Sequence, residues 1–420
     1  MQNRNWSNAG NVGSICSMGA TAETADFEDR RAKANVRRLA VAQALAGANA
    51  SVVFATGAII GSTLSPDPAL ATVPISVFVV GMAAGTLPVG WLSRRFGRRT
   101  AFMAGGGCGI LAGLVGACAL LLQSFPLYCL ATLFAGLYGS VVLSFRFAAA
   151  DGASAAFRPK ALSWVMAGGV FAGVLGPQLV TWTMDLWSPN LFVVSYLAQA
   201  AVALVAMAVL FGVDLPRPAP AEVARGRPLP AIIRQPRFIV AVICGVVSYT
   251  LMNLVMTSAP LAMRMCGLPL STSNWALQWH IVAMYAPSFF TGSLIARFGA
   301  QRIVAAGLLL IGCAALTGLS GLTAMHFSAG LVLLGLGWNF GFVGASALVL
   351  ETHRPEERNK VQAFNDFLVF GTMAVGSFWS GHVLVTLGWA AVNWVVFPPV
   401  TVAFVVLIMS GLLRRRRVPA

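Results

Sequence analysis

Apolar residues fall along this chain in long runs, each about twenty residues or more, with short polar segments between them. A helix rises about 1.5 Å per residue, so about 20 residues cross the roughly 30 Å hydrocarbon core of a bilayer. The runs predict twelve membrane-spanning helices, numbered spans 1 to 12, at about 39–64, 71–93, 100–122, 127–147, 161–183, 191–213, 238–263, 275–296, 303–323, 328–350, 362–387 and 394–413. This pattern predicts an all-α, polytopic membrane protein.

Composition and charge agree with that pattern and give it an orientation. The chain is 58% hydrophobic and 10% charged, whereas soluble domains carry about 25% charged residues. Of its 28 Lys and Arg residues, all except Arg264 fall in the tails or in loops on one side. Short loops retain positive charge on the cytoplasmic side. We therefore expect a multi-pass membrane protein with both termini in the cytoplasm, and its net charge of +15 indicates contact with anionic lipid rather than nucleic acid.

The chain divides into two halves of nearly equal length. A segment with six prolines, 214–237, reads as a semi-rigid cytoplasmic linker. It separates a predicted N-terminal bundle, 39–213, from a predicted C-terminal bundle, 238–413, and tails at 1–38 and 414–420 flank them. Two sixfold halves of equal size predict an internal repeat.

A short basic segment occurs at matching points of the two halves. The sequence GWLSRRFGRR follows span 2, and GSLIARFGAQR follows span 8. Four residues of the first copy recur 202 positions later, namely Gly90, Arg95, Phe96 and Gly97 as Gly292, Arg297, Phe298 and Gly299. Arg158 and Lys160 recur in the same way as Arg358 and Lys360, 200 positions later. The nearly constant offset indicates duplication.

Twelve spans in two halves, with Gly-x-x-x-x-Arg-x-Gly-Arg-Arg between spans 2 and 3, resemble the major facilitator superfamily. The resemblance implies a secondary transporter whose halves rock about a central site. It also implies that loop 2–3 latches the cytoplasmic side. Gly90 would then allow close helix contact and Gly97 a tight turn, while Arg95, Arg98, Arg99 and, in the second copy, Arg297 would contact helix ends and carboxylates.

The loop departs from the family pattern at one position. Arg94 stands where the family usually carries aspartate, and Ala296 occupies that place in the second copy. The usual charge relay is therefore incomplete in this chain. The alternative reading is that the loop arginines only mark topology, and we favour that reading for Arg94.

Polar and aromatic residues in mid-membrane positions predict the substrate site, because burying them in lipid is costly. In the family, spans 1, 4, 7 and 10 line the cavity, with spans 2, 5, 8 and 11 beside it. The candidates are Gln43, Asn49, Tyr138, Gln178, Asn253, Gln278, Trp279, His280, Trp338 and Asn339. His280 has a structural alternative, since a single buried histidine is more often a hydrogen-bonded packing residue than a proton carrier.

Few ionisable residues lie deep in the predicted spans. Arg146 lies near the cytoplasmic end of span 4, where it can extend to the surface or pair with Asp151, Glu351 or Asp366. A cavity of amides and rings suits a largely neutral, planar molecule. The pattern predicts a small-molecule substrate, with no cofactor and no metal.

Two longer phrases narrow the hypothesis. SFRFAAADGASAAFRPKA and LQWHIVAMYAPSFFTG resemble a bacterial branch of the superfamily to which riboflavin importers have been assigned. We therefore expect a monomeric carrier in the lipid bilayer that takes up a neutral planar compound such as riboflavin. Efflux of lipophilic compounds is the alternative, because 168–179 partly resembles the family's antiporter pattern. A non-transporting receptor or an enzyme fits the sequence less well. The sequence does not identify the coupling ion, which is a proton or another ion.

Overall fold

The computed structural model describes residues 9–65, 67, 70, 73–215 and 226–416, and within these residues the chain forms helices and turns without a strand. Helices α1 to α15 are, in chain order, Ala9–Leu64, Val73–Phe96, Arg98–Leu121, Phe125–Asp151, Arg158–Thr183, Val193–Phe211, Leu229–Ile233, Pro236–Met265, Leu270–Tyr285, Ser288–Phe298, Ala300–Ser320, Ala324–Trp338, Gly344–Leu350, Arg358–Trp394 and Phe397–Arg416. The predicted all-α, multi-pass fold is confirmed.

Eleven segments of the described chain are long and apolar enough to cross a membrane. The remaining predicted passage, span 11, lies in α14, which continues beyond it to Trp394. Gly388 interrupts that helix with φ of 82°, a conformation that suits glycine, so the chain turns there between spans 11 and 12. At the other end of the chain, α1 begins at Ala9 and includes most of the predicted tail.

Span 8 is present as one membrane-length segment, Trp275–Phe298, and is interrupted at a proline. The break falls between α9 and α10 at Pro287, because proline lacks the N–H group that a helix interior requires. Facing it, span 10 contains one π-helical turn, Asn339–Val343. Asn339 joins the two irregular segments, since its Nδ2 donates to the Met284 carbonyl and to Ser288 Oγ, each at 2.6 Å.

Each half packs mainly on itself, and the two halves meet along two pairs of helices. Span 2 contacts span 11, and span 5 contacts span 8. These pairs correspond to each other under the internal repeat. The interface between the halves is therefore two-fold in character, as alternating access by rocking of repeated halves requires.

Two glycines at equivalent positions bring the halves together at the predicted cytoplasmic end. A Cβ atom on Gly90 of span 2 would overlap the Cβ atom of Ala363 in span 11. A Cβ atom on Gly292 of span 8 would lie 2.8 Å from the Cβ atom of Ser163 in span 5. Gly292 follows Gly90 by 202 residues and Ala363 follows Ser163 by 200, so the same contact is made twice. The close approach predicted for Gly90 is present.

The N-terminal end of the linker is held by the first half. The Asp214 carboxylate accepts a hydrogen bond from Arg31 of α1 and forms an ion pair with it. Asn35 Nδ2 donates to the Asp214 carbonyl at 2.6 Å, and Arg38 donates to the Gly212 carbonyl. The chain that leaves span 6 is thus attached to the extension of span 1.

The C-terminal end of the linker is held by the second half. Arg227 donates to the Glu357 carboxylate through Nε at 2.8 Å and through Nη2 at 2.7 Å. Lys360 in the first turn of α14 donates to the Arg227 carbonyl. Burial opposes ionisation of Glu357, but the hydrogen bonds from Arg227 and from the Arg354 N–H outweigh it and lower the pKa of Glu357 to about 2. This attachment therefore stays charged at every physiological pH.

Candidate functional site

Arg146 lies between the two halves, and among the described residues it is the only arginine with 0% exposure. Arg146 of span 4 places Nη2 2.5 Å from Asp366 Oδ1 in span 11, and its Nε donates to Ser346 Oγ in span 10 at 3.2 Å. Its Nη1 donates to the Leu143 carbonyl, and Asn365 Nδ2 donates to Asp366 Oδ1 at 3.0 Å. We call Arg146 and Asp366 the central ion pair.

The central ion pair is buried from solvent and lies well within the helices. The side chain of Arg146 is 0% exposed and that of Asp366 is 6% exposed, so the predicted extension of Arg146 to the surface is wrong and its pairing with Asp366 is present. Arg146 precedes the end of α4 by about five residues and Asp366 follows the start of α14 by about eight, which places them roughly 8 and 12 Å inside. Separating the halves here requires breaking a buried ion pair or neutralising it.

Five aromatic side chains pack beside the central ion pair. This aromatic cluster consists of Tyr249, Tyr285, Trp338, Phe342 and Phe370, whose ring centroids lie 4.9–6.5 Å apart in the contacting pairs. The guanidinium of the central ion pair lies 4.7 Å from the centroid of Phe342, within the range of a cation–π interaction. Ion pair and rings therefore form one continuous site.

Span 5 closes over one side of the aromatic cluster. Gly169 contacts the ring of Tyr285 so closely that a Cβ atom there would overlap it. One turn away, Gly173 makes the same kind of contact with Ile281. Because spans 5 and 8 belong to different halves, the aromatic cluster contacts both of them.

Two of the predicted substrate residues have their polar or aromatic groups occupied by protein. Trp338 is 0% exposed and its indole stacks on Phe342, with the centroids 5.3 Å apart. The amide of Asn339 is fully used, since its oxygen also accepts from Thr291 Oγ1 at 2.7 Å. The amide of Asn339 is therefore not free for a substrate and instead joins span 8 to span 10, whereas the Nε1 atom of the buried Trp338 indole has no acceptor among the described residues.

Three others lie away from the interface between the halves. Asn49 donates to the Ala135 carbonyl at 3.0 Å and accepts from Gln199 Nε2 at 2.5 Å, which places its amide among spans 1, 4 and 6. Tyr138 packs its ring against Gly109 of span 3. His280 is buried, and its Nδ1 lies 2.7 Å from the Leu331 carbonyl. This contact is the one expected of a hydrogen-bonded packing residue.

Another three predicted substrate residues have exposed side chains. Gln178 lies on the stripe of exposed residues that includes Phe171 and Trp182, which is turned away from the contacts of span 5 with span 8. Gln278 and Trp279 are exposed as well, and the Trp279 ring stacks on Trp275 with the centroids 6.3 Å apart. That these three side chains contribute to the pocket stays a prediction.

Two amides remain in positions suited to a ligand. Asn253 lies one helical turn from Tyr249 of the aromatic cluster and is 3% exposed, and its Nδ2 has no hydrogen-bond acceptor among the described residues. Gln43 of span 1 is 4% exposed, and no described residue donates to its Oε1. A buried amide group without a partner is costly, which is expected where a ligand completes the hydrogen bonding.

The cytoplasmic contact between the halves centres on Arg98. Its Nε lies 2.5 Å from Asp151 Oδ2 at the end of span 4, and its Nη2 donates to Gln362 Oε1 in span 11. Arg358 Nε lies 3.7 Å from the same Asp151 oxygen. We call these four residues the gate cluster, and two of them, Arg98 and Gln362, line a small cavity together with Asp366.

The other loop arginines do not reach across the interface. Arg95 is exposed and lies over the rings of Trp91 and Phe96 on its own helix, at 5.6 and 5.5 Å. Arg297 lies over Phe298 in the same way at 5.2 Å, and Arg99 lies 3.9 Å from the centroid of Phe211 in span 6. The expected carboxylate contacts are therefore made by Arg98. The tight turn predicted at Gly97 is present, with φ of 89°, and it recurs at Gly299 with φ of 84°.

Two repeated helical halves that meet at paired glycines around a buried polar site define a secondary transporter of the alternating-access type. The model of the Major Facilitator Superfamily matches residues 39–272 and 241–420. The chain belongs to this family, whose members are transporters rather than enzymes.

Among curated proteins, the chain is similar to "Riboflavin transporter RfnT" of Brucella anthropi, with 47% identity over 381 residues that cover 90% of this chain and 96% of that protein. It is 30% identical to the "Uncharacterized MFS-type transporter YdeG" of Bacillus subtilis, covering 84% of this chain and 86% of that protein. Among solved structures, the proton:xylose symporter XylE gives a TM-score of 0.75 at 13% identity, covering 91% and 96% of the two chains. The structural likeness concerns the fold alone.

Proposed function

We propose that this protein imports riboflavin or a closely related flavin. The observation that carries the proposal is the 47% identity to a riboflavin transporter along nearly the whole length of both chains. The aromatic cluster supports it, because flat rings bind by stacking. The unpartnered amides of Asn253 and Gln43 support it as well, since a flavin ring carries hydrogen-bond donors and acceptors on its edge.

Uptake of labelled riboflavin by a bacterial riboflavin auxotroph tests this function. Cells that produce the protein are expected to grow on low external riboflavin and to accumulate the label, whereas cells with the empty vector do not. A drug-susceptibility panel in the same cells examines export. Raised drug resistance without rescue of growth would contradict the proposal in favour of efflux.

The structure gives the partial antiporter pattern of span 5 a packing role. A Cβ atom on Gly176 would lie 3.0 Å from the Ala48 carbonyl of span 1 and would overlap Ser51. Both neighbours belong to the same half. Close packing inside the N-terminal half therefore accounts for this glycine, and it supports no separate export function.

We place the protein in the bacterial cytoplasmic membrane as a monomer, with both termini and the gate cluster in the cytoplasm. Cys266 is exposed between spans 7 and 8, on the side opposite the basic loops. A membrane-impermeant maleimide added to intact cells is expected to label the wild type, and Cys266→Ser is expected to lose that part of the labelling. Equal labelling of both proteins would contradict this orientation.

We further propose that a proton is the coupling ion and that Asp366 binds it. In the closed arrangement the Asp366 carboxylate holds Arg146 of the opposite half. Protonation removes the negative charge, so it weakens the attraction that keeps the cytoplasmic ends together. A substrate and a proton that enter from outside would then release the halves in the same step.

Asn253→Ala is expected to weaken the apparent affinity for riboflavin about tenfold, the effect of roughly 1–2 kcal/mol for a lost hydrogen bond to a bound ligand. We expect this effect because the Nδ2 atom of Asn253, beside the aromatic cluster, has no partner among the described residues and is available to a ligand. Initial uptake rates over a range of concentrations measure the change. Asn49→Ala is the matched control, because that amide is bonded within its own half, and an equal change in affinity for both variants would contradict the assignment.

A further inference from the structure

A histidine in loop 10–11 ends a chain of hydrogen bonds that starts at the gate arginine. Arg98 Nη2 donates to Gln362 Oε1. Gln362 Nε2 lies 3.2 Å from His353 Nε2, and His353 Nδ1 lies 3.1 Å from the Arg354 carbonyl. The loop follows span 10 at the predicted cytoplasmic surface, outside the spans.

The direction of each hydrogen bond is fixed by its neighbours. A carbonyl oxygen only accepts, so His353 Nδ1 carries the proton and donates to Arg354. His353 Nε2 is then an acceptor, which lets the Gln362 amide donate to it. With its Nε2 group turned to the histidine, Gln362 presents its oxygen to Arg98. A neutral His353 thus orients the amide that holds Arg98.

We propose that His353 is a positioning residue of the cytoplasmic gate, and that its protonation from the cytoplasm weakens the hold of Gln362 on Arg98. A protonated imidazole has two donors and no acceptor. The Gln362 amide then faces a donor with its own N–H group, or it rotates and presents that group to the Arg98 guanidinium. In the first case the hydrogen bond between Gln362 and His353 is lost, and Gln362 is no longer oriented by the histidine. In the second case the hydrogen bond from Arg98 to Gln362 across the interface is lost.

The charges around His353 determine the sign of the effect. Burial lowers the pKa of His353 in the closed structure, and Arg98 of span 3 lowers it further. The Arg354 carbonyl, Asp151 of span 4 and Glu357 of the following turn act in the opposite direction, without restoring the usual value. When the halves part, the imidazole becomes hydrated and its pKa approaches about 6.5. The closed state therefore binds the proton more weakly, and closure is lost as the pH falls below the usual histidine range.

Spin labels across the gate test the proposal without any substrate. Arg94 and Ala296 are exposed and occupy equivalent positions of the two halves, so cysteines there, in a background without the native cysteines, report on the separation of the cytoplasmic ends. Distance distributions between the two spin labels are measured by pulsed electron–electron double resonance in nanodiscs at pH 8 and pH 5.5. In the wild-type background the fraction of long distances is expected to rise roughly threefold at pH 5.5.

Variants of His353 separate this device from other titrating groups. His353→Gln keeps an acceptor for Gln362 but has no titratable ring, so the pH response is expected to disappear. His353→Arg carries a permanent charge and is expected to show long distances already at pH 8. Asp366→Asn removes the proposed coupling carboxylate and is expected to keep the pH response. A pH response that is absent from the wild-type background, or unchanged in His353→Gln, overturns the proposal, and neither result depends on whether the substrate is riboflavin.

Discussion

Cells that produce Asp366→Asn are expected to exchange labelled for unlabelled riboflavin but to lose its accumulation against a gradient. Asparagine retains an acceptor for Arg146 but cannot bind and release a proton in the physiological range. Counterflow and energised uptake in membrane vesicles measure the two activities separately. Asp185→Asn, an exposed acid on the opposite end of the bundle, is the control and is expected to retain both. Accumulation by Asp366→Asn at the wild-type level would contradict proton coupling through this residue.

The partner substitution, Arg146→Met, is expected to abolish exchange as well as accumulation. It leaves the Asp366 carboxylate buried without its cation, and removing one member of a buried pair costs about 3–5 kcal/mol. The double variant Arg146→Met/Asp366→Leu removes both charges and is expected to recover the amount of folded protein in the membrane without recovering accumulation. Full transport by Arg146→Met would show that the pair has no part in the cycle.

Gly90→Val and Gly292→Val are each expected to reduce uptake more than tenfold. Valine at either position overlaps the helix of the opposite half, and overpacking of about 1–3 kcal/mol acts on the closed state alone. That penalty shifts the balance of the two states by roughly 5- to 150-fold. Initial uptake rates, normalised to protein in the membrane, measure the effect.

Gly107→Val is the matched control for this pair. Gly107 lies in span 3 with open space around its Cβ position, so the same substitution there is expected to leave uptake close to the wild type. The spin-labelled form of Gly90→Val is expected to show long distances at the cytoplasmic ends. Short distances together with normal uptake would mean that the close contact is not needed for closure.

The fold was predictable because its causes are local. Apolar runs of bilayer length set the helices, and the repeat of Gly90 and Gly97 as Gly292 and Gly299 indicated the two-fold relation before any contact was known. The π-helical turn at Asn339 was not visible in the apolar pattern, since it depends on how the Pro287 break of span 8 packs against span 10.

The candidate site was harder to predict because its residues meet across the two halves. The sequence predicted Asp366 as one of three candidate partners of Arg146. Which of the three forms the ion pair depends on the distance between spans 4 and 11, which the sequence does not give. The loop arginines show the same difficulty. Arg95 and Arg98 belong to the same loop motif, but Arg95 lies in the last turn of α2 over Trp91, whereas Arg98 begins α3 and contacts Asp151. The repeat offset did point to one contact of Arg146. Its equivalent in the second half, 200 residues later, is Ser346, and the two side chains are hydrogen-bonded.

The two ends of the linker bear on how the molecule is assembled. Asp214 is held by α1 of the first half and Arg227 by Glu357 of the second, so each half keeps its own end if the peptide between them is cut. The connection then contributes mainly a high effective concentration of one half near the other. Two polypeptides, one ending after Asp214 and one starting before Arg227, contain every contact between the halves that the structure describes. Complementation between such fragments, co-expressed from separate genes, follows from this arrangement.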